Sequence, residues 1–145
     1  HTNDSVSAIT RLIDLGVPAF LIQYTLVGII SQRLLRKICP HCQESFPMSR
    51  AELRMAGIAL SGEGEILLKR GKGCHKCRVT GYYGRSAVFE VLPYTPAIRH
   101  LTTSETDHAA ILDAAVKEDL VTLRDNAIKK MITRTTTYLE VLRVT

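Results

Sequence analysis

The chain has 145 residues, with 19 Lys and Arg against 14 Asp and Glu, four Cys and no Trp. At 46% hydrophobic and 23% charged residues it has the composition of an ordinary globular protein, which excludes a disordered tail or a fibre. The uncharged run from Gly16 to Gln32 includes Gln23 and Ser31 and is shorter than the roughly 18 apolar residues of a membrane span. No basic leader with a small-residue cleavage site precedes it, so neither secretion nor membrane insertion is expected. The chain opens on His1 and reads as a piece of a longer protein.

Asn3 or Asp4 can cap a first helix, Ser5 to Leu15, which Gly16 would end. Pro18 suits the first turn of a second helix. The apolar residues from Ala19 to Ile30 point in nearly every direction around a helix, which predicts a buried helix running to about Arg36. Ser49 and Glu52 form a capping box for a short helix through Ala56. Strands are predicted at Ile66 to Leu68 and at Ser86 to Leu92, the second closed by Pro93. Helix starts follow at Thr95-Pro96, at Ser104 to Asp107, at Thr122 and at Thr137 to Glu140, giving a small helical bundle. Asp113, Glu118, Asp119 and Asp125 read as its solvated acidic face.

The cysteines carry the chemistry. Cys39-Pro-His-Cys42 and Cys74-His-Lys-Cys77 are two Cys-x-x-Cys knuckles, the spacing of a structural zinc site. Each knuckle aims two sulfurs at one ion, and two knuckles complete a tetrahedron of thiolates with no position open for water. Two disulfides, or a redox pair, are the alternatives; the missing signal peptide and the doubling of the motif weigh against them. His41 and His75 lie inside the knuckles and read as outward-facing turn residues.

Charge follows the cysteines. Residues 33–85 hold 11 Lys and Arg against four acids, a net +7, while the remainder is −2. Lys37, Lys72, Lys76 and Arg78 flank the knuckles and can offset the −2 of a zinc tetrathiolate. A nucleic-acid-binding zinc ribbon is the alternative reading of so basic a segment, with Tyr82, Tyr83 and Arg85 as its contacts. A zinc enzyme is a third, and a closed four-thiolate site opposes it.

His1-Thr2-Asn3-Asp4, Ala8 to Leu12, and Gln32-Arg33-Leu34 leading into the first knuckle resemble the C-terminal part of the GspE/PulE-type traffic ATPases of type II secretion and type IV pilus assembly. The resemblance continues through Gly73 to Cys77, Thr80 to Arg85, Val88 to Leu92, Ala97 to His100 and Glu140 to Thr145. It implies an α+β, mainly helical fold: terminal helices of a RecA-like ATPase core (1–36), a tetracysteine zinc subdomain (37–85), and a C-terminal strand and helices (86–145). It also implies a hexameric P-loop ATPase, cytoplasmic and peripheral at the inner membrane. Its partners would be neighbouring subunits of a homohexamer and a membrane platform protein, with nucleic acid not expected. By the same resemblance His1 and Thr2 match the family's nucleotide-proximal histidine box, Cys39, Cys42, Cys74 and Cys77 are the zinc ligands, and ATP with Mg²⁺ belongs to the parent protein only. Two positions depart from the family pattern: Asp119-Leu120 where Gly-Met is frequent, and Asp125-Asn126 where Asp-Gly is frequent.

No Gly-x-x-x-x-Gly-Lys-Ser/Thr loop occurs in these 145 residues, so no backbone cradle for phosphates and no Mg²⁺ hydroxyl is at hand. The purified 145-residue chain is expected to release no phosphate from ATP above a buffer blank. Turnover at the rate of an intact traffic ATPase would overturn that expectation.

Overall fold

A computed structural model describes residues 2–145, an α+β chain with seven α-helices and four strands among the described residues. It divides into two compact units, His1–Gln32 with Phe89–Leu123 and Arg33–Val88 with Arg124–Thr145. Among the described residues no helix is long and apolar enough to cross a membrane. Strand β1 (Gly28–Ile38) pairs with β4 (Tyr82–Pro93), and the division falls within both strands.

Unit 1 contains α1 (Val6–Asp14), α2 (Ala19–Thr25), α4 (Pro96–Leu101) and α5 (His108–Lys117). Its core joins Val6 and Ile9 of α1, Ile22 of α2, Leu92 of β4, and Tyr94, Ile98, Ile111 and Ala115. Glu90 is buried and accepts hydrogen bonds from the Ser5 N–H at 2.7 Å, the Ser5 hydroxyl at 2.5 Å and the Leu123 N–H at 3.0 Å. A buried carboxylate is tolerated because these three donors replace its water.

The helix expected from Pro18 to Arg36 is corrected here. It stops at Thr25, and the chain continues as strand β1 from Gly28. From Gly28 to Arg36 exposure alternates with every second residue, the period of a strand. Ile29 and Ile30 favour that conformation through their β-branches, and Gly28 interrupts a helix while permitting close approach: a Cβ there would lie 3.1 Å from the Leu92 carbonyl oxygen. Nor is the segment buried all round, since Phe20 is 58% exposed and Tyr24 84%.

The other starts are closer to expectation. Thr95 caps α4, accepting from the Ile98 N–H at 3.4 Å, with Pro96 as the first helical residue. The box at Ser104 does not form; Asp107 caps α5 instead, accepting from the Ala109 N–H at 3.0 Å. The Thr106 hydroxyl takes the Thr103 N–H in a turn just upstream, which removes the Ser104 start. Asp119 has φ +63, the left-handed conformation that glycine adopts without strain, at the position where the traffic ATPases often carry Gly.

Unit 2 contains an antiparallel pair, β2 (Gln43–Ser49) and β3 (Glu65–Gly71), in register from Gln43 opposite Gly71 to Ser49 opposite Glu65. The Ser49–Glu52 capping box forms in full and opens α3 (Arg50–Met55). Helices α6 (Leu123–Ile132) and α7 (Tyr138–Val144) follow. Thr137 caps α7 as expected, accepting from the Glu140 N–H at 3.2 Å. The Glu140 side chain, however, does not complete a capping box. It is fully buried and receives the Arg36 N–H at 2.9 Å, the Arg36 guanidinium at 2.9 and 2.7 Å, and the Arg143 guanidinium at 2.9 and 2.6 Å. The Arg36 guanidinium also lies 4.2 Å from the centre of the Tyr82 ring, and the Tyr82 hydroxyl meets that of Thr137 at 2.7 Å.

Burial acts to raise the Glu140 carboxyl, but the donors of Arg143 and Arg36 outweigh it and bring it from 4.5 down to about 2. A depressed carboxyl stabilises the fold above its unfolded pKa, and the effect is lost as pH falls through the folded value. At about 1.4 kcal/mol per unit this amounts to about 3 kcal/mol. Glu140→Gln is therefore expected to lower the unfolding free energy at pH 7 by about 3 kcal/mol. The gap to the unaltered chain should narrow as pH drops from 4.5 towards 2, as read from urea midpoints; a gap independent of pH would refute the ion-pair origin.

Candidate metal centre

The two knuckles sit at strand ends within unit 2. Cys39 directly follows β1 and its N–H donates to the Gly81 carbonyl at 2.9 Å. Cys42 immediately precedes β2, and its carbonyl receives the Lys72 N–H, just past β3, at 3.0 Å. Cys74 caps a single 3-10 turn, His75–Cys77, that ends on Cys77, and the pairing of β2 with β3 brings the 31-residue insertion back to its starting point.

The second knuckle turns by an uncommon route. Arg78 and Val79 both take positive φ, 51° and 63°, a conformation that is rare for a β-branched residue. This returns the Val79 N–H to the Cys74 carbonyl at 2.9 Å. Gly73, at φ +93, lies so close that a Cβ would stand 2.7 Å from the Val79 carbonyl oxygen, and a Cβ on Gly81 would stand 2.5 Å from that of Gly71. Bare backbone at these positions is what lets the knuckles close.

The four sulfurs of Cys39, Cys42, Cys74 and Cys77 all lie within 4.8 Å of one another. Cys39 to Cys74 is 3.9 Å, Cys42 to Cys77 is 3.8 Å and Cys74 to Cys77 is 3.7 Å. A tetrahedron with metal–sulfur bonds of about 2.3 Å has edges of about 3.8 Å, whereas a disulfide is about 2.05 Å long. The donor set and its dimensions fit a metal ion. Cys77 Sγ also accepts from the N–H groups of Cys74 at 3.2 Å and Gly81 at 3.3 Å. Burial works to raise the Cys77 thiol, but these N–H groups and the neighbouring thiols bring it down to about 6. Burial pushes Cys42 up to about 12, helped by the other three sulfurs and opposed by the Gly73 N–H. Four thiolates in one cluster repel each other, and a bound cation removes that conflict.

His41 and His75 are exposed and stand outside the four-sulfur group; His41 meets the Tyr83 ring edge-on at 6.4 Å between centroids. Lys72, expected to offset the cluster, instead pairs with Glu44 at 2.8 Å, beside Arg70, also at 2.8 Å. His1 lies outside the described residues, and Thr2 is half-buried in unit 1. The positive-φ turn at Arg78 and Val79 was not foreseen; glycines on either side, at 73 and 81, were its only trace in the sequence.

The family model described as Type II/IV secretion system protein matches residues 1–143. The type IV pilus assembly ATPase PilB of Thermus thermophilus is 37% identical over 142 residues, covering 98% of this chain and 16% of that protein. The type II secretion system protein E of Pseudomonas aeruginosa and the type II secretion system ATPase E of Vibrio cholerae are each 34% identical over 145 residues, which is 100% of this chain and 28% of each relative. The chain thus spans less than a third of the length of these curated relatives.

Gly73→Ala and Gly64→Ala separate close packing from backbone preference. Gly64 has φ +86 with nothing within 4 Å of an added Cβ, so its substitution should cost only the left-handed preference, about 1 kcal/mol. Gly73→Ala adds a backbone collision and should cost clearly more while lowering metal content per chain. Equal losses in denaturation, with metal retained in both, would refute the packing argument.

Proposed function

Because the chain belongs to the type II/IV secretion system protein family, we propose that it is the C-terminal, zinc-stapled part of a hexameric P-loop ATPase that powers assembly of a pilus or pseudopilus. The observation that carries this reading is the four-sulfur cluster, set in a chain whose full length matches relatives named as secretion or pilus assembly ATPases. Residues 1–36 then belong to the ATPase core, 37–85 to the zinc subdomain and 86–145 to the C-terminal helices. Thr2, beside His1, lies at the nucleotide site of the assembled enzyme, while ATP and Mg²⁺ are held mainly by segments of the parent protein.

Within this reading Cys39, Cys42, Cys74 and Cys77 hold one Zn²⁺, whose role is structural because protein sulfurs fill all four positions. Metal binding of this kind contributes directly to folding free energy. Here it ties the end of β1 to the turn that starts β4, so the knuckles behave as one stiff lever. The module contributes rigidity and contact surface, to neighbouring subunits of a homohexamer and to an inner-membrane platform protein, and no hydrolysis of its own. Its place is the cytoplasmic face of the inner membrane.

The experiment is metal analysis with Cys→Ser at each of the four positions. One zinc per chain is expected in the unaltered protein, with every single substitution losing metal and lowering the unfolding midpoint. In the full-length protein Cys39→Ser should cut ATP turnover at least several-fold. Full metal retention after loss of any one cysteine would defeat the closed four-thiolate site, and unchanged turnover would defeat its part in the motor.

A further inference from the structure

The charge of the chain separates by unit. Unit 1 carries three Lys and Arg against eight Asp and Glu, and unit 2 carries 16 against six, so a net +5 resolves into −5 and +10. A zinc tetrathiolate would subtract only two from the +10, leaving a large excess of cations.

Part of that excess gathers around Tyr82, which together with Thr80 lines two cavities in unit 2. One, of about 320 Å³, is lined by Arg36, Thr80, Tyr82, Gly84 and Arg85. The other, of about 280 Å³, has Phe46, Arg70, Tyr82 and Thr137 among its walls. Arg36 and Arg143 share the single carboxylate of Glu140, and Arg70 and Lys72 share that of Glu44. Arg85 is exposed and stands outside both pairings. Five cations therefore meet two carboxylates, and the guanidinium forks keep donors beyond those already used. A recess lined by one sign of charge focuses its field on an incoming ion of the other sign.

We propose that this double recess is a docking site for an acidic segment of a partner protein, its carboxylate side chains entering on either side of Tyr82. Arginine and tyrosine are the residue types that most often anchor such contacts, and complementary charge steers the encounter. Single-stranded nucleic acid fits less well, because it needs open aromatic faces. Here the Arg36 guanidinium covers one face of Tyr82 at 4.2 Å, and that of Arg70 covers Phe46 at 5.1 Å. A membrane leaflet presents its charge on a broad surface, whereas Arg36 and Arg85 line one recess and Arg70 the other. The site is distinct from the four-sulfur cluster and its chemistry is the same whichever machine the chain serves.

The test is fluorescence anisotropy of a labelled ten-residue peptide of alternating glutamate and alanine, titrated with the metal-loaded chain at low and at physiological salt. Saturable binding that weakens with salt is expected. Arg85→Glu should weaken it at least about tenfold, Arg85→Ala by less, and Arg54→Glu, the same charge change on α3 outside the recess, by under about threefold. Circular dichroism and metal content show whether each variant stays folded, and the alanine variant carries the test if the glutamate variant does not. Equal losses in Arg85→Glu and Arg54→Glu, or absence of saturable binding, would overturn the proposal. So would tighter binding of a single-stranded DNA 20-mer or of phosphatidylglycerol vesicles in the same titration. Self-association of the chain that Arg85→Glu abolishes, seen by sedimentation, would assign the recess to a second copy instead.

Discussion

Unit 2 depends on the convergence of four sulfurs from two short turns that lie 31 residues apart. A chain segment of this size buries few large apolar side chains, with Leu53, Ile58 and Leu68 the principal ones in the insertion itself. Such a core is thin beside the conformational entropy of ordering the loop. A metal held where Cys39 and Cys42 meet Cys74 and Cys77 would close the loop at its base and remove much of that entropy from the problem. The insertion can then vary within, provided its ends return to the same place. The in-register pairing of β2 with β3 performs that return.

The backbone around the cluster shows the same requirement from the other side. Gly71 and Gly81 face each other too closely for any side chain, and Gly73 lies against Val79. Val79 occupies a left-handed conformation that its β-branch resists. Strain of this kind persists only where surrounding interactions over-determine the geometry. The N–H groups of Cys74 and Gly81 point at the sulfur of Cys77, so the turn that costs conformational energy also delivers the donors that favour a thiolate. Geometry and electrostatics are set by one turn.

What was readable in the chain was whatever is encoded locally. The knuckles, the Ser49–Glu52 box, the Thr95-Pro96 start and the Thr137 cap are short patterns whose partners lie within four residues, and all are found in the fold. The run from Leu26 to Arg36 misled because composition alone does not separate a buried helix from a half-exposed strand; the β-branches and Gly28 were the discriminating residues. Glu140 was half legible. Its place three residues after Thr137 marked a helix start, but its side chain serves Arg36, 104 residues away, and nothing local announces a partner at that distance. The ion pair of Lys72 was hidden for the same reason, since Glu44 reaches it only through the pairing of β2 and β3.

Three independent clamps act on the last residues of β1 and the first of β4. The Glu140 fork holds Arg36, the loop at Thr135 and Thr136 takes the Ile38 N–H and offers its hydroxyl to the Arg36 carbonyl, and the sulfur cluster begins at Cys39. Across the pair, Tyr82 is held by the Arg36 guanidinium on its ring and by Thr137 on its hydroxyl. The clamps differ in what loosens them: acid weakens the first, the second is a neutral hydrogen-bonded contact, and the third would yield to loss of a metal or, like the first, to acid. Because they share one short stretch of strand, no single condition other than unfolding releases all three. A segment so fixed transmits displacement rather than absorbing it.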